Sequence, residues 1–151
     1  MQSVTKESIE EAALGLQGVA IESDLYFSER LSHKYNAKIY IKREDLQIVR
    51  SFKIRGAYNK ISSLSDSEKK RGVVCASAGN HAQGVAYSCA ALKVKGTIYM
   101  PITTPNQKVE KVRSFGKSYV TIKLEGDSFD EANKSAQKYC KQNDAVYVHP
   151  F

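Results

Sequence analysis

From residue 73 onward, short apolar runs alternate with stretches in which apolar residues recur every three or four positions. The runs stand near Val73–Ser77, Thr97–Pro101, Tyr119–Leu124 and Ala145–His149. Unbroken runs of this length are what a parallel strand buried on both faces leaves in a sequence. Between them, spacings such as Ala82, Val85, Ala86, Cys89 and Ala90 predict helices over Asn80 to Leu92, Pro105 to Phe115 and Phe129 to Gln142. Terminus signals agree. Thr104 precedes Pro105 with Gln107 three residues on, Ser128 precedes Glu131 in the same way, and Gly116 stands where a helix C′ residue is wanted. Four strands alternating with three helices predict a three-layer α/β domain with a mostly parallel sheet and right-handed crossovers.

Ahead of residue 73 the pattern is less regular. Ile9, Ala12, Ala13 and Leu16 predict a short amphipathic helix ending near Gly18. A second helix is expected from Ser28 to Tyr35, stopping at Asn36, and Lys38 to Lys42 reads as a strand. Phe52, Ala57, Tyr58, Ile61 and Leu64 predict a helix, after which Ser65 and Glu68 form a capping-box pattern opening a short turn. No linker or low-complexity stretch interrupts the chain. The expected division is an N-terminal segment over 1–64 and a small α/β domain over 65–151.

A chain of 151 residues can bury a core, and 42% hydrophobic with 26% charged residues is a globular rather than a disordered composition. No apolar run approaches the roughly 18 residues of a membrane span. Met1 to Lys6 lacks the apolar region of a signal peptide, so a cytosolic protein is expected. Cys75, Cys89 and Cys140 are odd in number and fall within apolar patterns, which fits reduced core cysteines. His33, His81 and His149 show no metal-ligand spacing, and no metal site is expected. The net charge of +7 raises nucleic acid as a partner, but the lysines are scattered and interrupted by Glu44-Asp45, Glu110 and Asp130-Glu131. A solvated basic surface accounts for that better than a nucleic-acid interface.

Two stretches carry candidate chemistry. Ser51-Phe52-Lys53-Ile54-Arg55-Gly56-Ala57 places a lysine at the start of a helix, behind a strand. Held in a cleft, such an amine can form a Schiff base with an aldehyde; the plain alternative is a solvated lysine. Ser77-Ala78-Gly79-Asn80-His81-Ala82-Gln83-Gly84 joins a strand to a helix with small and hydrogen-bonding residues. The unpaired N–H groups of such a helix start favour a carboxylate or phosphate, though an ordinary capped turn has the same composition.

Together with Lys42-Arg43-Glu44-Asp45-Leu46, these stretches resemble, in order and spacing, the threonine dehydratase (threonine ammonia-lyase) family of tryptophan-synthase-β-like, fold type II enzymes. The resemblance runs from about Glu7 to Phe151. It implies pyridoxal 5′-phosphate as cofactor and an amino acid carrying a β-hydroxyl as substrate. L-threonine would be dehydrated and deaminated to 2-oxobutanoate and ammonia, or L-serine to pyruvate, in isoleucine biosynthesis or threonine catabolism. By the resemblance, Lys53 holds the cofactor as a Schiff base and later transfers a proton, while Phe52 lines the cofactor. Asn80 hydrogen-bonds the pyridine 3′-oxygen, and Ser77, Gly79, Asn80 and His81 receive the substrate carboxylate. Plain alternatives are core packing for Phe52, a cap on its own helix for Asn80, and an idle first-turn position for His81. Tyr58, Arg55 and Arg43-Glu44-Asp45 read as structural. The family also implies a homo-oligomer.

Departures from the family pattern qualify the expectation. Similar serine racemases place a serine where this chain has Ala78, which makes racemisation the minor reading. Ser23-Asp24-Leu25 stands where the family has Thr-Pro-Leu. The family continues past Phe151 with a glycine-rich phosphate loop, and none of the nine glycines here are adjacent. A truncated, catalytically silent α/β domain is therefore the competing expectation. A nucleotide-binding module is set aside because neither a Gly-x-Gly-x-x-Gly nor a Walker motif is present.

Overall fold

The computed structural model describes residues 4–150. Its elements begin with helix α1 (Lys6–Gly15), strand β1 (Leu25–Phe27), α2 (Glu29–Tyr35), β2 (Tyr40–Lys42), α3 (Lys53–Ser62) and α4 (Asp66–Arg71). Then follow β3 (Val73–Ala76), α5 (Asn80–Leu92), β4 (Gly96–Met100), α6 (Asn106–Gly116), β5 (Val120–Leu124), α7 (Phe129–Asn143) and β6 (Val146–Tyr147). The last four strands form one parallel sheet in the order β5-β4-β3-β6. The chain steps outward from β3 to β5, then returns to lay β6 on the other side of β3. Crossovers of one hand running in opposite directions put their helices on opposite faces. Accordingly α5 and α6 cover one face and α7 the other.

The side chains of β3 divide between the two faces. Val73 and Cys75 join Val85, Ala86, Cys89, Ile98 and Val112 under α5 and α6. Val74 and Ala76 join Tyr99, Ala132 and Ala136 under α7. All four β3 residues are buried, which is why the strand reads as an unbroken apolar run. Helix α3 extends the first layer, sending Ala57 and Ile61 into the core shared with α5, with Leu64 joining them just past the helix end. The three-layer parallel architecture expected from the apolar pattern is present. β6 is shorter than its apolar run, although the Val148 N–H still reaches the Val74 carbonyl at 2.8 Å.

Several local expectations are corrected. The Ser65–Glu68 capping box is reciprocal as predicted, but it opens a helix of six residues, α4, rather than a turn. Lys69, Lys70 and Arg71 in its last turn complement the helix dipole. Helix α6 begins at Asn106 behind Pro105, whose ψ of 135° is extended, and no side chain caps it. Thr104 therefore lies one residue too early to cap. It is buried, and its hydroxyl has no hydrogen-bond partner among the described residues. Gly116 is the last residue of α6 with φ −78°, and it is Lys117 that takes the positive φ of 50°. Glycine is required at 116 for a different reason: a Cβ there would stand 2.6 Å from the Cβ of Val120.

The N-terminal third packs differently. Strands β1 and β2 pair antiparallel, Leu25 opposite Lys42 and Phe27 opposite Tyr40, and all six residues are exposed. β1 is absent from the predicted elements because Leu-Tyr-Phe offers no alternation to read. Helix α1 forms behind a Thr5–Ser8 capping box but buries none of its residues; Ile9 is 60% exposed. Leu16, predicted on its apolar face, is buried just past the helix end. At the outer edge of the main sheet the Lys123 ammonium of β5 lies over two rings, 5.4 Å from Tyr99 and 4.7 Å from Tyr139.

Gly116→Ala forces a methyl onto the Val120 Cβ at the α6–β5 joint, a strain that no side-chain rotation relieves. It is expected to cost about 1–3 kcal/mol, read as a lowered midpoint in thermal unfolding. A wild-type midpoint would remove the close-approach explanation.

Candidate active site

The lysine of the first stretch is the first residue of α3, and the segment leading to it is held by polar contacts. Glu44 accepts hydrogen bonds from Nε and Nη2 of Arg55, both at 2.8 Å, and from the Ser23 hydroxyl at 2.5 Å. Arg55 also donates to the Ile21 carbonyl at 3.0 Å. Gln47, almost fully buried, closes a reciprocal pair with the Ile21 backbone at 2.8 and 3.0 Å. Lys42 donates to the Ser23 carbonyl. The Arg55 bonds, with Ser23 in support and partial burial in opposition, hold the Glu44 carboxyl down to about 2. Arg43 and Asp45 form a separate, outer pair at 2.8 Å. Glu44 and Arg55 thus brace this segment, and Arg55 sits two residues from Lys53.

Lys53 enters an open cleft of about 570 Å³ at the carboxyl ends of β3 and β6, which it shares with Phe52, Lys60, His81, His149 and Pro150. That volume is within the range of small-molecule sites. Nζ donates to the Pro150 carbonyl and lies 5.5 Å from the centroid of the Phe52 ring. Phe52 is 59% exposed, so the core-packing alternative is not realised; its ring flanks the amine. Among the described residues lining the cleft there is no aspartate or glutamate, and Lys53 and Lys60 bias it toward an anion.

The second stretch forms the neighbouring wall. Ser77 is buried, and its hydroxyl accepts the Gly79 N–H at 3.1 Å, bending the chain out of β3. Gly79 occupies the N-cap of α5 and has no side chain to offer, so the N–H groups of the first turn have no side-chain cap. Asn80 is exposed and is the first residue inside the helix, which rules out the alternative in which it caps its own helix. Of the predicted residues, Lys53, Phe52 and His81 line one cleft, and Ser77, Gly79 and Asn80 lie on the turn running directly into His81.

His81 is 6% exposed, and its Nε2 is 3.0 Å from the Val148 carbonyl oxygen. A carbonyl only accepts, so Nε2 carries the proton. Burial, with nearby Lys53 and His149 in the same direction, pushes the imidazole below its usual range despite the Val148 bond. The ring is then neutral, with Nδ1 an acceptor that repels a carboxylate. Only its backbone N–H offers a donor to an anion in the cleft. Sequence reading missed His149, Pro150 and Lys60. The rule that ligands sit beyond the carboxyl ends of strands at the point of reversal points to the end of β6 as much as to β3. Applied to both strands, it finds residues 148–150.

A lysine beginning a helix, facing a strand-to-helix turn at the reversal of a parallel sheet, is a combination that can be compared with known proteins. The sequence pattern of pyridoxal-phosphate dependent enzymes matches residues 18–151. The chain belongs to that family. Among family members it is 50% identical over 148 residues to the biosynthetic L-threonine dehydratase of Lactococcus lactis, covering 98% of this chain and 36% of that one. With its Bacillus subtilis counterpart it shares 53% over 136 residues, covering 90% and 32%. The chain thus spans about a third of the length of these curated relatives. Threonine deaminase isoform 2 of Solanum lycopersicum superposes with a TM-score of 0.83 at 41% identity, over 99% of this chain and 42% of that one. Maize serine racemase gives 0.89 at 29% identity, over 99% and 45%. Among the described residues no metal-binding cluster occurs, and no helix is long and apolar enough to cross a membrane.

Removing the charge at the brace gives a testable outcome. Because the Glu44 carboxyl is lowered on folding, its contribution is complete above about pH 4.5 and is lost as pH falls toward 2. Glu44→Gln is expected to cost about 2 kcal/mol at pH 7, roughly 4–8 °C in Tm. The difference from wild type should shrink as the midpoint is followed down to pH 3. A gap that does not narrow with acid would show that the charge is not what the brace depends on.

Proposed function

We propose that Lys53 holds pyridoxal phosphate and that the Ser77–His81 turn receives the α-carboxylate of an amino acid, within a threonine ammonia-lyase. The observation that carries this reading is the position of the Lys53 amine, in a cleft with no acidic side chain among its described lining residues, beside the uncapped start of α5. The residues present fit the group chemically. There is a primary amine for the aldehyde, a flat ring beside that amine for the pyridine, and cations with unpaired N–H groups for anionic substituents. Ser51, two residues ahead of the lysine, adds a buried hydroxyl with no partner among the described residues.

Pyridoxal phosphate, when bound, supplies an electron sink that stabilises charge at the substrate α-carbon. Lys53 Nζ would hold the cofactor, and the same amine would be the base that takes the α-proton. The N–H groups of Asn80 and His81 orient the carboxylate, and the Asn80 amide serves the pyridine 3′-oxygen. Ala78 has no hydroxyl with which to protonate the opposite face, which favours loss of the β-hydroxyl over racemisation. L-threonine then yields 2-oxobutanoate and ammonia, and L-serine yields pyruvate. In this reading residues 1–64 carry the lysine and 65–151 the anion-binding turn. A cytosolic enzyme assembled from identical subunits is part of the same family reading.

The test is titration of the purified chain with pyridoxal phosphate, followed by assay of 2-oxobutanoate from L-threonine. The expected result is weak cofactor retention by the isolated chain, with any absorbance change abolished by Lys53→Ala. Absorbance without product would leave a cofactor-binding but catalytically silent α/β domain, the second reading. An identical response from Lys53→Ala would remove the assignment of the lysine.

A further inference from the structure

We infer that Gly84 is a positioning residue for Lys53: its bare Cα is the seat on which the Lys53 peptide rests, and this contact sets where the amine enters the cleft. The inference rests on the reading of Lys53 as the cofactor-bearing residue. A Cβ at position 84 would stand 2.9 Å from the Lys53 carbonyl oxygen, 3.1 Å from its carbonyl carbon and 3.3 Å from the Ala57 Cβ. Two of these neighbours are backbone, so no side-chain rotation makes room. Gly84 is a buried residue inside α5, and its φ is not among the positive ones. Its conformation is therefore one that alanine adopts readily, and alanine is the better helix former. What glycine supplies at this position is close approach.

The contact has a bearing on the site because of what lies at each end of it. On α5, Gly84 is three residues after His81 and so shares its face of the helix. The buried Ser88 hydroxyl donates to the Gly84 carbonyl at 2.7 Å. On α3, Lys53 is the first residue, and Arg55 anchors the same turn to Glu44 at 2.8 Å from the other side. The first turn of α3 is thus clamped between an ion pair and a helix that also carries the anion-binding turn. Thickening the contact by one methyl lifts Lys53 away from His81 without touching either functional group. Displacements near 1 Å reduce rates of positioned reactions by as much as about a hundredfold.

The experiment compares capture of the cofactor by wild type, Gly84→Ala and Val112→Ala, the last a core change on α6 that lowers stability without altering the seat. The full chain is mixed with pyridoxal phosphate and sodium borohydride. An amine condenses with the aldehyde with loss of water, hydride reduces the new C=N bond to a secondary amine, and peptide masses locate the adduct. Wild type and Val112→Ala are expected to label Lys53 ahead of the surface lysines. In Gly84→Ala the rate at Lys53 should fall by about tenfold or more, with surface labelling unchanged. Equal Lys53 labelling in Gly84→Ala and wild type would overturn the inference and leave the cofactor reading standing. No preference for Lys53 in wild type would overturn the cofactor reading. The seat is then judged by amide hydrogen exchange over residues 53–60, which should speed in Gly84→Ala but not in Val112→Ala. Unchanged exchange there overturns the seat as well. If Gly84→Ala does not fold, Ala57→Gly thins the same contact from the α3 side without adding an atom. It should lower Lys53 labelling in the same direction, and unaltered labelling counts against the seat.

Discussion

Laying β6 on the far side of β3 obliges the last crossover to run back along the opposite face of the sheet. This reversal brings residues 148–150 beside the turn that opens α5. The His81–Val148 hydrogen bond joins the two strand ends directly, and the Lys53 contact with Pro150 closes the triangle from α3. Three segments distant in sequence therefore meet at one place because of strand order. Among the described residues lining that place, none carries a carboxylate side chain. Neutrality at His81 follows from the packing, since a ring buried next to a lysine is poorly placed to take a second proton even with the Val148 carbonyl accepting from it.

The sheet was legible in the sequence because it is buried on both faces, which leaves a mark no solvated strand leaves. Val73 to Ala76 could hardly be read otherwise. The helix starting near Lys53 was equally legible from Ala57 and Ile61, and the two stretches of the site from their likeness to threonine dehydratase. The misses have separate physical causes. Phe52 belongs to the same heptad-like pattern as Ala57 and Ile61 yet sits at the N-cap, where a side chain leaves the helix face. Gly116 satisfied a helix-end rule for a reason that only the distance to Val120 reveals. β1 has no signature because its three residues are all exposed and all apolar or aromatic. His149 and Pro150 were invisible until strand order was known, since the expected parallel sheet left open which edge β6 would join.

The two parts of the chain are stabilised in different ways. From residue 73 onward the fold rests on buried apolar side chains, and even the thiols of Cys75 and Cys89 are raised by burial, the latter to about 12. From Ile21 to Arg55 it rests mainly on hydrogen bonds: Glu44 with Arg55 and Ser23, Gln47 with Ile21, and Lys42 with the Ser23 carbonyl. Apolar burial loses little to acid, whereas an ion pair loses its charge. The lysine stands at the junction of the two regimes. Its backbone is held by packing on one side and by a titratable brace on the other.

The rims of the main sheet have a consequence for the behaviour of the chain at high concentration. An unpaired strand edge is a template for a neighbouring molecule, and long, flat, apolar edges nucleate fibrils. Here one rim, β6, is only two residues long and runs into Pro150, which has no N–H to donate. On the other, β5, Lys123 is parked over Tyr99 and Tyr139. A strand added along β5 would have to pack its side chains beside this cation, which a flat apolar edge would not present. Self-propagating stacking through this sheet is disfavoured at both ends, by geometry at one and by charge at the other.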